Sequence, residues 1–151
     1  MNRNRMRRRM MLALATTALG ALSIAASPSA SANPVLIPKV YTDATDGDSG
    51  GVSAFAELSR GTNLCYRAAF HAKGETLDVW DRCKDGYEAK VTVKVYNLLG
   101  ILVDLDEFTA GQDTTFNLGT PDGSGDIHEG YKVVLVLSAA GFSTPPIKGT
   151  A

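Results

Sequence analysis

Residues 89–96 alternate strictly, with Ala89, Val91, Val93 and Val95 on one side and Lys90, Thr92, Lys94 and Tyr96 on the other. A period of two is that of a strand with one buried face, so Ala89 to Tyr96 is predicted as a strand. Val52 to Leu58, Leu64 to Phe70 and Thr76 to Trp80 are short, rich in β-branched or aromatic residues, and end in Gly, Asn, Asp or Lys. A turn near Gly100 places a further strand within Leu98 to Leu105, and Thr114 to Leu118 reads as another short one. Tyr131 to Leu137 is more continuously apolar, as a central strand would be. No long stretch after residue 32 shows a helical period. Strands spaced roughly 10–12 residues apart predict an all-β fold, an antiparallel β-sandwich of Ig-like or Greek-key type with about six to eight short strands.

The ends of this pattern look loose. Residues 33–51 are rich in Pro, Asp, Gly, Ser and Thr, and residues 143–151 carry Pro145-Pro146 and little that could pack. Both are expected to be flexible, which leaves residues 52–142 as the folded domain.

Residues 1–32 follow a different logic. Arg3, Arg5, Arg7, Arg8 and Arg9 precede an uncharged apolar run from Met10 to Ala26, and Ser27 to Ala32 ends in a small-x-small pattern. That is the form of a secretory signal peptide, with cleavage expected after Ala32 or, as second choice, after Ala30. The apolar run is short for a membrane span, and neither cysteine lies at the cleavage site to accept a lipid. The expected location is therefore extracellular, by release into the medium. Cleavage would leave 119 residues with ten Lys/Arg against sixteen Asp/Glu, a net charge of −6. The ten basic residues are scattered along the chain, so neither nucleic acid nor an anionic membrane is expected as a partner. A monomer is expected, with an unidentified extracellular protein as partner or none.

Cys65 and Cys83 are the only cysteines, and in an exported chain an even count reads as a disulfide. A hairpin turning at Lys73-Gly74-Glu75 brings them together. One register sets the two cysteines directly opposite each other; the register one residue away sets Phe70 against Leu77 and Ala68 against Val79. A bulge near Asp81-Arg82 reconciles the two. Two thiols 18 residues apart with two histidines elsewhere make a poor zinc pattern.

Several motifs suggest chemistry. Gly47-Asp48-Ser49-Gly50-Gly51 spells the string around the nucleophilic serine of chymotrypsin-like proteases, but His71 and His128 both follow Ser49, whereas those proteases place the base before the nucleophile. Asp43, Asp46 and Asp48, or Asp122, Asp126 and Glu129, offer oxygens for calcium, yet neither run has the spacing of a calcium loop. Asp104, Asp106 and Glu107 supply paired carboxylates beside a predicted strand end, where a solvated edge is the simpler reading. No catalytic, cofactor-binding or metal-binding residue is assigned. Tyr66, Phe70 and Trp80 are candidates for the core. Trp80 and Arg82, beside the disulfide, are also a candidate binding edge, because Trp and Arg dominate interface hot spots.

Two family resemblances meet in these residues. His71-Ala72-Lys73-Gly74-Glu75 through Trp80-Asp81-Arg82-Cys83-Lys84-Asp85-Gly86-Tyr87, then the alternating strand and Glu129-Gly130-Tyr131-Lys132-Val133, resemble small exported proteins of actinobacteria. This resemblance covers most of residues 52–137 and implies a β-sandwich without a known activity. Cys65 to Cys83, Val91 to Tyr96 and Ala110-Gly111-Gln112 are similar to tendamistat-type α-amylase inhibitors, secreted six-stranded sandwiches that use a Trp-Arg-Tyr triplet. Here the nearest triplet is Trp80-Asp81-Arg82, and that family's second disulfide has no counterpart. The resulting expectation is a secreted, non-enzymatic β-sandwich with an extracellular binding role. The alternatives are an inhibitor of a secreted hydrolase and a structural protein of the cell envelope.

Overall fold

A computed structural model describes residues 35–44, 48–118 and 127–151. The segment expected to be a signal peptide, residues 1–32, and the candidate calcium ligands Asp46, Asp122 and Asp126 lie outside these residues. The described chain is all-β and antiparallel. Its strands are β1 (Ile37–Ala44), β2 (Val52–Arg60), β3 (Asn63–His71), β4 (Thr76–Asp81), β5 (Ala89–Tyr96), β6 (Leu102–Ala110), β7 (Thr114–Asn117), β8 (Lys132–Ala139), β9 (Phe142–Ser143) and β10 (Ile147–Thr150). They form one sheet in the order β6-β5-β8-β10-β2-β3-β4-β7, with β1 paired to β2 and β9 to β8.

The sheet curls on itself. β8 faces β2 and β3, and β5 faces β3 and β4. The two end strands approach where the Phe108 and Phe116 rings stand 4.7 Å apart, so the shell is nearly barrel-shaped. Period-two alternation decides what fills it. Ala54, Ala56 and Leu58 of β2, Tyr66, Ala68 and Phe70 of β3, and Leu77 and Val79 of β4 meet Val91, Val93 and Val95 of β5 and Val133, Leu135 and Leu137 of β8 in one buried core.

The hairpin of β3 and β4 takes the register that pairs Phe70 with Leu77 and Ala68 with Val79. Its turn, residues 72–75, holds Gly74 at φ 81° and Glu75 at φ 51°. Glu75 occupies a left-handed conformation unusual for a side chain of its type, and its surroundings hold it there. Its carboxylate accepts the Ile127 N–H at 2.7 Å, and its carbonyl accepts the Leu118 N–H at 2.9 Å.

Three expectations are corrected. Residues 33–51 are not simply a flexible lead-in, because Ile37 to Ala44 pair with β2 along their whole length. Alternation fails to announce β1 because most of its side chains stay exposed on either side. Residues 143–151 are not a flexible tail. Pro145-Pro146 marks a crossing, after which β10 pairs with β8 through Ile147↔Leu135 to Thr150↔Lys132 and meets β2 at Thr150↔Val52. Thr144 fixes the crossing, since its Oγ1 accepts the Leu137 N–H at 3.1 Å and its own N–H donates to the Leu137 carbonyl at 2.9 Å. The strand expected after a turn near Gly100 does begin past that turn, at Leu102, but it runs to Ala110 and not only to Leu105; Asn97 organises Leu98 to Gly100 as the turn. Its side-chain oxygen accepts the N–H groups of Leu99 and Ile101, both at 3.0 Å.

Candidate functional site

With Leu77 and Val79 turned inward, Trp80 must point outward from β4. Trp80 is half-buried on the outer face and is not part of the core, unlike Tyr66 and Phe70. The ladder pairs Arg67 with Trp80, Glu57 with Arg67, Lys39 with Glu57, and Tyr41 with Phe55. These side chains form a strip of alternating cations and rings across β1 to β4. The Lys39 Nζ lies 4.8 Å from the Tyr41 centroid, and Tyr41 stacks on Phe55 at 4.8 Å. The Arg67 guanidinium lies 5.0 Å from Phe55 and 4.5 Å from Trp80, and that of Arg82 lies 3.9 Å from Trp80. Each such pair contributes about 0.5–1 kcal/mol where solvent reaches it.

Glu57 balances the strip. It accepts the Tyr41 hydroxyl at 3.0 Å and lies within 3.8 Å of Arg67 Nε and 3.9 Å of Lys39 Nζ. Burial and this bond raise the Tyr41 phenol above its ordinary value. At 3.8 Å the Arg67 contact is electrostatic rather than a hydrogen bond, and Arg67 Nε is buried without an acceptor. Arg82 is directed by Asp113, whose Oδ2 accepts from Nε at 3.2 Å and Nη2 at 3.1 Å, while about half of the Arg82 side chain stays open to solvent.

The strip ends against the disulfide. Cys65 and Cys83 are bonded, with Cα atoms 4.8 Å apart. The ladder pairs Tyr66 with Asp81, and the Arg82 N–H donates to the Cys65 carbonyl at 2.9 Å, so Cys83 sits one position beyond the residue opposite Cys65. The chain then turns into a polar knot. The Tyr66 hydroxyl donates to Asp85 at 2.6 Å, Arg60 donates to Asp85 at 2.8 Å, and the Tyr87 N–H donates to it at 3.2 Å. Burial and the Asp85 bond push the Tyr66 phenol well above its ordinary value. Burial also acts to raise Asp85, but the Tyr66, Tyr87 and Arg60 donors outweigh it and hold this carboxyl below the ordinary value. Asp81 goes the other way, raised by burial and then by the Asp85 charge.

The remaining candidates are dispersed. Ser49 is exposed in the turn between β1 and β2, and neither histidine is hydrogen-bonded to it. His71 Nε2 lies 3.0 Å from Asp78 Oδ2 with Phe55 against its ring, whereas His128 rests edge-on against Tyr131. Asp48, Glu75, His128 and Glu129 border one cleft of about 480 Å³. Among the described residues, no three His, Cys, Asp or Glu are grouped closely enough to hold a metal ion. Asp104 and Asp106 lie opposite the buried Val95 and Val93 on end strand β6, whereas Glu107 is exposed.

Sequence reasoning singles out Trp80 and Arg82 and anticipates the disulfide that the structure shows; it does not single out Lys39, Tyr41, Phe55 and Arg67, which lie beside them. Their only signal was register: Arg67 and Trp80 already face each other in the register that pairs Ala68 with Val79. Compared with family models, curated proteins and solved structures, the chain matches none.

Proposed function

We propose that this chain is a secreted, non-enzymatic binding domain on a sandwich-like shell, and that it recognises an extracellular protein through the face around Trp80 and Arg82. The carrying observation is the Arg82 guanidinium stacked 3.9 Å over Trp80, half open to solvent and aimed by Asp113 beside a disulfide. A flat aromatic with a pre-oriented guanidinium offers area and directed hydrogen bonds with little rotamer freedom left to lose on binding. The disulfide, which suits an oxidising compartment, supports an extracellular location.

Inhibition of a secreted hydrolase is the sharper form of the same reading. An acidic catalytic cleft would compete with Asp113 for Arg82, and the bidentate fork of Arg suits a carboxylate. The test is binding of the oxidised chain to a panel of secreted hydrolases, amylases and proteases included, with their activity read alongside. Tight binding that is lost in Trp80→Ala/Arg82→Ala supports the reading, and concurrent inhibition selects the inhibitor form. Binding that survives the double substitution removes this face from the mechanism.

A further inference from the structure

A second face, across the shell from the Trp80 strip, carries a different chemistry. Outward positions of β5, β8 and β10 form a groove of about 530 Å³ with Val134 and Val136 on its floor, Tyr96 beside them, and Lys94, Lys132 and Lys148 around it. Scattered along the sequence, these lysines converge because β8 pairs with both β5 and β10. Lys90 extends the series on the same side of β5. None of the four forms an ion pair among the described residues; Lys132 donates to the Thr150 hydroxyl at 2.8 Å. Glu107, opposite Thr92, is the carboxylate that the β5–β6 register adds to this side.

At one end of the groove stands the β5–β6 turn. Leu98 is 75% exposed and Leu99 83%, with Ile101 and Leu102 also exposed. The Asn97 hydrogen bonds that shape this turn give its backbone a fixed form, and Gly100 supplies the positive φ of 76° that it needs. Register sets Leu102 opposite Tyr96 and Leu105 opposite Lys94, so the apolar tip runs into the lysine-bordered face.

We propose that this face docks on an anionic lipid bilayer, with the Leu98–Leu102 tip in the apolar layer and Lys94, Lys132 and Lys148 at the head-group phosphates. The composition separates a lipid surface from a protein partner. Protein interface centres are depleted in Lys and enriched in Trp and Arg. This patch instead combines aliphatic side chains with lysines, whose stems lie along apolar surface while their ammonium groups reach water, and a single Tyr at the boundary. Charge is complementary locally although residues 33–151 carry −6 in all. The gathering of lysines revises the basis on which scattered charge spoke against a membrane, and it stands independently of the Trp80 face.

The test is flotation of the oxidised chain, its amino terminus defined by mass spectrometry and identical in all variants, with vesicles of phosphatidylcholine alone or with phosphatidylglycerol. Two variants are compared, Leu98→Ser/Leu99→Ser/Ile101→Ser and Lys94→Gln/Lys132→Gln/Lys148→Gln. All six positions lie outside the buried core, so an unchanged melting temperature will show that both variants are folded. The chain is expected to float with the anionic vesicles and to lose partitioning in 0.5 M salt, on the order of a hundredfold in the lysine variant at a factor of about five per lysine. The tip variant is expected to fail on both vesicles. The proposal is overturned if the parent chain does not float, if it floats equally on neutral vesicles, or if both variants float as the parent does. It is also overturned if the tip variant turns a dimer into a monomer, which would make a second copy the occupant.

Discussion

A Cβ built on Gly149 would lie 2.7 Å from the Phe70 ring and 2.6 Å from the Val52 carbonyl oxygen. The last strand therefore crosses the core at bare-backbone distance, at the point where β10 joins β8 to β2. Gly149→Ala is expected to destabilise the fold by about 1–3 kcal/mol through overpacking, read as a lower midpoint in urea with an unchanged slope. An unchanged midpoint would mean that β10 is held less closely than this geometry requires.

Removing the disulfide should act through the unfolded chain as much as the folded one. The bridge closes a loop with a sequence separation of 18. Cys65→Ala/Cys83→Ala is expected to cost roughly 2–4 kcal/mol, measured against the oxidised parent by denaturant titration. The same loss on adding reductant to the parent would show that the effect belongs to the bond and not to the new side chains.

Two neighbouring carboxylates should respond oppositely to pH. Asp85 is held below its ordinary value, so it stabilises the fold above the ordinary carboxylate range, and that contribution is lost as pH falls through its folded value. Asp81 is raised, so its charge costs stability at neutral pH, and the cost fades as pH falls. Asp85→Asn is expected to lower the melting temperature at pH 7 and to converge on the parent once pH falls below the lowered folded value of Asp85. Asp81→Asn is expected to raise it at pH 7, with the gain fading as pH falls from the raised folded value of Asp81 to the ordinary carboxylate value, above the range in which Asp85 responds. Melting curves of the two variants from pH 2 to 8 check both signs.

The stacking of Arg82 on Trp80 is open to a double-mutant cycle. With Arg82→Ala, Trp80→Ala and the pair, a coupling of about 0.5–1 kcal/mol is expected from thermal unfolding. Arg82→Lys should recover less than half of it, because an ammonium group cannot stack as a guanidinium plane does. Additive single losses would show that Trp80 is held by Arg67 alone.

The seven strands inferred from alternation and turn residues are all present, and Ala89–Tyr96 coincides with its observed limits. Ala89–Tyr96 was legible because one of its faces is buried, which writes a period of two into the sequence, and the others from β-branched, aromatic or apolar runs between turn residues. β1 and β10 were not. Ile37–Ala44 leaves most of its side chains exposed and is ordered by its ladder to β2, and Ile147–Thr150 is four residues long behind two prolines. The disulfide was legible from cysteine count and hairpin register together. Trp80 and Arg82 were legible as residue types, but the cations and rings beside them come from strands that only register brings together. The same holds for Lys94, Lys132 and Lys148, which are 54 residues apart from first to last along the chain and adjacent only across the ladder.

The position of β10 has a consequence in time. The half of the sheet made by β6, β5 and β8 and the half made by β1, β2, β3, β4 and β7 are joined through this one strand, which follows every other strand in the chain. Either half can pair locally as soon as its hairpins emerge, but the seam stays open until residues 147–150 arrive. The two halves therefore close into one shell only when residues 147–150 take their place between β8 and β2.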